Sequence, residues 1–251
     1  MIVPAGDQRV ALITGGSRGI GRAIALAIAD RGVSRIIVNY LQNDEAAQET
    51  KRQIEARGTT CFLERANLAF PAEIDALFER IALAVTNIDI FVHSAALGAF
   101  KPLREIRPNQ WDLSMAINAR SFLQGVQRCL PLMTQGKIVA ISSLGSHRAV
   151  PNYGAVGVSK AALESVIRQL AIELQPHGTQ INGVSGGFVA TESIRKFPDY
   201  DTMMKKVIER TPAGRIGTPE DIADVVALLL SPEARWIHGQ VIVADGGFSL
   251  T

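Results

Sequence analysis

A single doubly wound α/β domain, one parallel sheet with helices on both faces, is predicted by three features of the sequence. Short runs rich in β-branched residues alternate with longer stretches of helical period. Several of those runs are almost wholly apolar, as parallel strands covered on both sides must be. The first run ends in the glycine-rich turn "TGGSRGIG", and a helical stretch follows at once.

The strands are expected at 9–14 ("RVALIT"), 35–40 ("RIIVNY"), 60–66 ("TCFLERA") and 88–94 ("IDIFVHS"), then at 136–142 ("GKIVAIS"), 179–185 ("TQINGVS") and 240–245 ("QVIVAD"). Helices are expected at 19–31, 43–57, 71–85, 109–130, 153–175 and 218–230. The last has a defined start: Thr218 caps it, Pro219 fits the first helical position, and Glu220 and Asp221 favour the dipole. The stretch 186–217, rich in Gly, Pro and charge, reads as a long irregular loop serving as a lid over a site.

Composition narrows the function. A chain of 251 residues that is 47% hydrophobic builds one large core. A net charge of +2 without a long basic run argues against nucleic-acid binding. Cys61 and Cys129 have neither CxxC nor metal-ligand spacing, so reduced thiols and no metal centre are expected. The start "MIVPAGDQRV" lacks the basic and apolar regions of a signal peptide, and no apolar run approaches ~20 residues. A soluble, cytoplasmic protein is the expectation.

The turn "TGGSRGIG" is built for a dinucleotide. Gly15, Gly19 and Gly21 let the backbone turn tightly and approach a pyrophosphate, whose charge the helix N-terminus favours. Ser17 and Ile20 lie within the same turn. An NAD site places an acid after the second strand to hold the ribose hydroxyls, but here "VNYLQN" has no carboxylate before Asp44. Arg18 offers a guanidinium for a 2′-phosphate, so NADPH is the expected cofactor. Asn67 and Leu68, after the third strand, sit where an adenine edge would lie. Tyr40 stands at the adenosine end, as packing or as a contact. Ser94, Ala95 and Val189 complete the expected lining.

With "TGGSRGIG", a tyrosine and lysine after "ISS" and a terminal "ADGG", the chain resembles the short-chain dehydrogenase/reductase family over essentially its whole length. The resemblance implies a Rossmann fold, a homotetramer and a Ser–Tyr–Lys site assisted by a helical Asn. By position these are Ser143, Tyr153, Lys160 and Asn118. It implies that Lys160 binds the nicotinamide ribose and lowers the tyrosine pKa, and that Thr191 lies near the cofactor. Asn118 reads equally as a helix-bending residue, and Ser143 as a strand-end hydroxyl bonded to backbone.

Three departures stand out. The fourth strand ends His93-Ser94-Ala95-Ala96 instead of Asn-Asn-Ala-Gly, and Gly186-Gly187 replaces the usual Pro-Gly. Tyr153 precedes Lys160 by seven positions rather than four, and Val156 fills the usual place. The last two departures, with "SSLGS" and "TPAGR", are similar to the NADPH-dependent enoyl-acyl-carrier-protein reductases of the type III branch, which also tolerates an alanine at the place of Ala96; His93-Ser94 fits neither pattern. On a continuous helix seven positions make almost two turns, so Tyr153 and Lys160 would share a face, with the tyrosine shifted about 4.5 Å along the axis. A ketone reductase needs its acid at the oxygen of the carbon receiving hydride. An enoyl thioester takes hydride at Cβ while charge develops on the more distant thioester oxygen, and a displaced tyrosine suits that geometry.

The expected reaction is therefore reduction of a trans-2-enoyl thioester to the saturated acyl thioester. Acyl carrier protein is the expected carrier, with coenzyme A open. Ile194, Phe197 and Tyr200 are candidates for an acyl channel, and Arg195 and Lys196 for contact with the carrier. A ketone or 3-oxoacyl reductase is the alternative, and a non-catalytic nucleotide-binding scaffold the alternative of another class. His93 reads as a hydrogen-bonded core residue, His147 as solvated, and Trp111 and Trp236 as packing or subunit contacts.

Overall fold

The computed structural model describes residues 9–197 and 199–251. The leader reading made from the first ten residues therefore rests on a stretch of which 1–8 lie outside the described residues. Seven strands, β1 (Val10–Thr14), β2 (Arg35–Tyr40), β3 (Thr60–Arg65), β4 (Ile90–His93), β5 (Lys137–Ser143), β6 (Gln180–Gly186) and β7 (Val241–Ala244), form one sheet in the order β3-β2-β1-β4-β5-β6-β7. Every pairing is parallel. The order reverses between β1 and β4, and the crevice at that switch point is where this architecture places a ligand.

Among the described residues eight α-helices cover the sheet: α1 (Gly19–Ala29), α2 (Asp44–Glu55), α3 (Pro71–Ala84), α4 (Pro108–Met115), α5 (Ser121–Cys129), α6 (Gly154–Glu173), α7 (Tyr200–Arg210) and α8 (Pro219–Leu229). The period of two in β1 splits its side chains between two cores. Val10 and Leu12 join the apolar cluster under α3, α5 and α6, while Ala11 and Ile13 join that under α1 and α8. Fully burying such an aliphatic side chain contributes about 1.5–3 kcal/mol. The α8 cap forms as its sequence suggests, with Thr218 Oγ1 accepting from Asp221 N–H and the Asp221 carboxylate accepting from Thr218 N–H.

Three elements differ from the sequence expectation, each near the site. The helix expected over 109–130 is interrupted by a π-helical turn at Ala116–Arg120, centred on Asn118. The stretch 186–217 is not irregular throughout, because it contains α7. There Met204 and Val207 bury one face, a pattern hidden by the surrounding charge. Finally, α6 begins at Gly154, so Tyr153 precedes the helix with φ −119° and ψ 8°. Tyr153 is placed by the turn before α6, and the shared-face helix arithmetic does not apply to it.

Among the described residues no helix is long and apolar enough to cross a membrane, and no group of His, Cys, Asp or Glu could hold a metal ion. Cys61 and Cys129 are both free and buried, and burial pushes the Cys61 thiol up to about 12. Trp236 is 96% exposed, which rules out packing within the chain as its role.

Candidate active site

A cavity of about 1720 Å³ opens at the C-terminal ends of the central strands. Along it lie Gly15, Ser17, Arg18, Gly19, Ile20, Gly21, Tyr40, Asn67, Leu68, Ser94, Ala95, Val189 and Thr191, together with Ser143, Tyr153 and Lys160. Asn118 is absent from this lining.

The dinucleotide end is shaped by backbone packing. Gly15 has φ +64°, and a Cβ there would lie 2.7 Å from Ala95 Cα. A Cβ on Gly21 would lie 2.2 Å from the Gly15 carbonyl oxygen. Both glycines therefore hold the turn against the Ser94–Ala95 backbone and at the N-terminus of α1, leaving backbone N–H groups for a pyrophosphate. Arg22 stabilises this turn from behind, donating to the Ser17 carbonyl and to Thr50 Oγ1. Arg18 faces the cavity and pairs with Glu192 across it. The β2 end contributes Tyr40, Leu41, Gln42 and Asn43, none of them acidic. Asp44, which is not on the cavity, lies 3.9 Å from Arg65. Burial, and then the nearby Asp44 carboxylate, raise the pKa of Tyr40, which lines the cavity beside the β2 end.

The reacting end centres on Tyr153. Its ring packs with Phe100 and Phe197, at centroid separations of 5.9 and 5.8 Å, and those two rings lie 4.3 Å apart. Burial holds the Tyr153 hydroxyl above its ordinary pKa, with the nearby Ser143 hydroxyl acting in the opposite direction. Ser143 Oγ accepts from Gly145 N–H, so both readings of this serine are present in one geometry. Val156 is buried at the position usual for the tyrosine, pressed against Gly98, where a Cβ would lie 2.1 Å from Val156 Cγ2.

Lys160 is 3% exposed and donates to the Ile141 carbonyl at 2.6 Å. Burial pulls its pKa down to about 8, opposed by the charge of Glu164 one helical turn on. Glu164 in turn accepts from Ser142 Oγ at 2.5 Å. Asn118, fully buried, clips the loop after β4 to α6. Its amide exchanges bonds of 2.9 Å with the backbone of Leu97 and donates to Ser159 Oγ at 2.8 Å. The carbonyl it meets lies in that loop, past the end of the strand, and the π turn supplies the bend.

His93 fills the strand-four departure as a neutral core residue. Thr14 Oγ1 and His93 Nδ1 share a hydrogen bond of 2.9 Å, and Thr14 Oγ1 also accepts from Ala95 N–H. His93 Nε2 lies near the Ile117 carbonyl and has no hydrogen-bond partner among the described residues. Burial first, and the Lys160 charge second, push the ring down to about 3.

Sequence reasoning missed Gly145, whose absent side chain makes room for the displaced tyrosine. A Cβ there would lie 2.5 Å from the Tyr153 ring. Gly145→Ala is expected to push the ring aside and lower kcat about tenfold or more, since misplacement by 1 Å can cost a hundredfold. The KM for the dinucleotide should stay within twofold, and steady-state kinetics with each reactant varied separates the two effects. The sequence signal was weak: a glycine two residues after a strand reads as an ordinary turn.

The family described as enoyl-(acyl carrier protein) reductase matches residues 15–249. A 1-cyclohexenylcarbonyl-CoA reductase of Streptomyces collinus is 42% identical, over 97% of this chain and 88% of that one. Versicolorin reductase 1 of Aspergillus parasiticus is 29% identical, over 96% of each. Among solved structures, the angucycline C-6 ketoreductase LanV with bound NADP is 34% identical, with a TM-score of 0.89 over 97% of this chain and 96% of that one. With the glycine turn, the Ser143–Tyr153–Lys160 grouping and these likenesses in agreement, the chain belongs to the short-chain dehydrogenase/reductase family of oxidoreductases.

Proposed function

We propose that this oxidoreductase reduces the carbon–carbon double bond of a trans-2-enoyl thioester, with NADPH as its cofactor. The observation that carries the reading is the place of Tyr153. It stands before α6, with Val156 buried where a ketone-reducing tyrosine is expected. The Streptomyces collinus relative, named for a cyclic enoyl-CoA, supports the same chemistry. The glycine turn, Arg18 and an acid-free β2 end fit NADPH, as does the NADP in LanV.

Bound NADPH supplies the hydride that reaches Cβ. Tyr153 donates a hydrogen bond to the thioester oxygen, where negative charge develops. Its raised pKa keeps the hydroxyl protonated, as a donor must be. Ser143 orients that hydroxyl, and Lys160 holds the nicotinamide ribose and supplies positive field. The Cα proton comes from Tyr153 or solvent. Asn118 positions the loop after β4 without touching reactants. Residues 186–217 act as the lid, with Phe197 closing on Tyr153. The carrier is acyl carrier protein or coenzyme A, with the cytoplasm the expected location and a homotetramer the expected assembly. The exposed Trp111 and Leu113 on α4 and Val158 and Ile172 on α6 support the last.

One observation favours the ketone reductase instead: the Ser143 and Tyr153 hydroxyls lie beside one another on the cavity, as the pair that polarises a ketone oxygen does. Parallel assays of NADPH loss with crotonyl and acetoacetyl thioesters decide between them. Rapid loss with the crotonyl thioester and little with the acetoacetyl one is expected, and the reverse ranking makes the protein a ketoreductase.

A further inference from the structure

The cavity has a second end, away from the glycine turn, walled by the lid segment, α7 and Phe248. Charged groups crowd it: Arg148, Arg195, Lys196, Lys206 and Arg210, with Asp199. Two of these have internal partners. Arg148 donates to the Ser249 carbonyl, while Glu192 is held at the glycine turn by Arg18. Arg210 donates to the Thr251 carbonyl and lies over the Phe248 ring at 5.2 Å. Arg195, Lys196 and Lys206 have no ion pair or side-chain hydrogen bond among the described residues, and Asp199 is the one unpaired carboxylate facing them.

The local fold holds these cations outward. In the short turn Ile194–Lys196 and the residue after it, Ile194 and Phe197 are buried in the lid's apolar cluster, while Arg195 and Lys196 are exposed. On α7, Met204 and Val207 bury the inner face and Lys206 stays on the cavity rim. Phe197 packs on Tyr153, so the positive wall begins where the reacting centre ends.

We propose that Arg195, Lys196 and Lys206 form a subsite for the phosphates of a coenzyme A thioester. The proposal rests on the thioester reading above. A thioester whose oxygen meets Tyr153 and whose acyl part lies among Phe100, Phe188, Phe197 and Phe248 sends its sulfur-side arm out over the rim. That arm carries phosphate in coenzyme A and in acyl carrier protein alike. Three unpaired cations on one concave wall match the several phosphates of coenzyme A. A protein carrier presents a single phosphodiester and docks on an outer face. Cations at such a rim act on encounter and salt dependence more than on the chemical step.

The test uses the triple variant R195Q/K196Q/K206Q, whose residues lie outside the reacting centre. Crotonyl-CoA, crotonyl-N-acetylcysteamine, which has no phosphate, and crotonyl-acyl-carrier-protein are the substrates. With crotonyl-CoA the KM should rise about tenfold, with kcat and the KM for NADPH within twofold of the parent. With the phosphate-free thioester the variant should match the parent. Salt should raise the parent's KM for crotonyl-CoA and leave that for the phosphate-free thioester unchanged. An equal rise for both small thioesters, or no rise for either, overturns the subsite. A rise confined to crotonyl-acyl-carrier-protein overturns it in favour of a protein carrier. If the parent reduces none of the crotonyl thioesters but reduces an acetoacetyl thioester, the enoyl reading fails instead.

Discussion

Tyr153→Phe is expected to lower kcat on a crotonyl thioester by about 10²–10⁴-fold, the range for losing a positioned proton donor. Only the hydroxyl goes. The ring keeps its packing with Phe100 and Phe197, so the fold should tolerate the change. The Kd for NADPH, measured by fluorescence titration, should stay within twofold. Loss of rate with retained cofactor binding places Tyr153 in the chemical step. Normal turnover would mean another donor serves the thioester oxygen and would sink the mechanism. Val156→Tyr supplies a companion measurement: a gain in acetoacetyl reduction would show that helix register selects the bond reduced.

Lys160→Met should lower kcat/KM at pH 7 by about a hundredfold or more, because it removes a fixed charge beside the developing one. Its effect on stability should have the opposite sign. The folded pKa, about 8, lies below the ordinary 10.5, because burial disfavours the ammonium more than Glu164 favours it. Between these values the unfolded chain binds the proton more readily than the folded one. Parent stability therefore rises with pH across roughly 8 to 10.5 from this group, having carried the full cost of the buried charge below pH 8. Met carries no such cost. Melting at pH 7 should show the variant at or above the parent Tm, with the gap closing toward pH 10. The neighbouring His93 is neutral throughout and Tyr153 stays protonated, so neither reverses the sign. For the parent, activity that needs the ammonium should be full below pH 8 and decline as pH rises through it. A rate still climbing at pH 9.5, or a variant that melts well below the parent at pH 7, would contradict this account.

The dinucleotide end was legible in the sequence because its parts are local. Gly15 through Gly21 form one turn whose conformation follows from missing side chains, and the acid-free β2 end is read off four residues. The reacting end was legible as a list and not as an arrangement. Tyr153 was expected on a helix face and stands before the helix. Asn118 was expected to assist the site or to bend its helix, and it is buried outside the cavity lining, bonded to Leu97 and Ser159. Each residue acts through segments distant in the chain, and no periodicity encodes such contacts. Helix α7 was hidden for a related reason. Its Met204 and Val207 bury against residues from elsewhere, while its own composition reads as charged loop.

The sequence by itself determined the parallel seven-stranded sheet and the glycine turn, and singled out Ser143, Tyr153 and Lys160, which the fold brings to one cavity. Strand and helix periods, and the conformational freedom of glycine, are properties of short stretches. Tertiary structure alone decided where the Tyr153 hydroxyl sits, that Gly145 must be bare to admit its ring, and that Lys160 is buried deeply enough to titrate near pH 8. It also decided which lid cations remain unpaired. Those outcomes depend on burial and on partners brought together across the fold, and both exist only once the two faces of the sheet are covered.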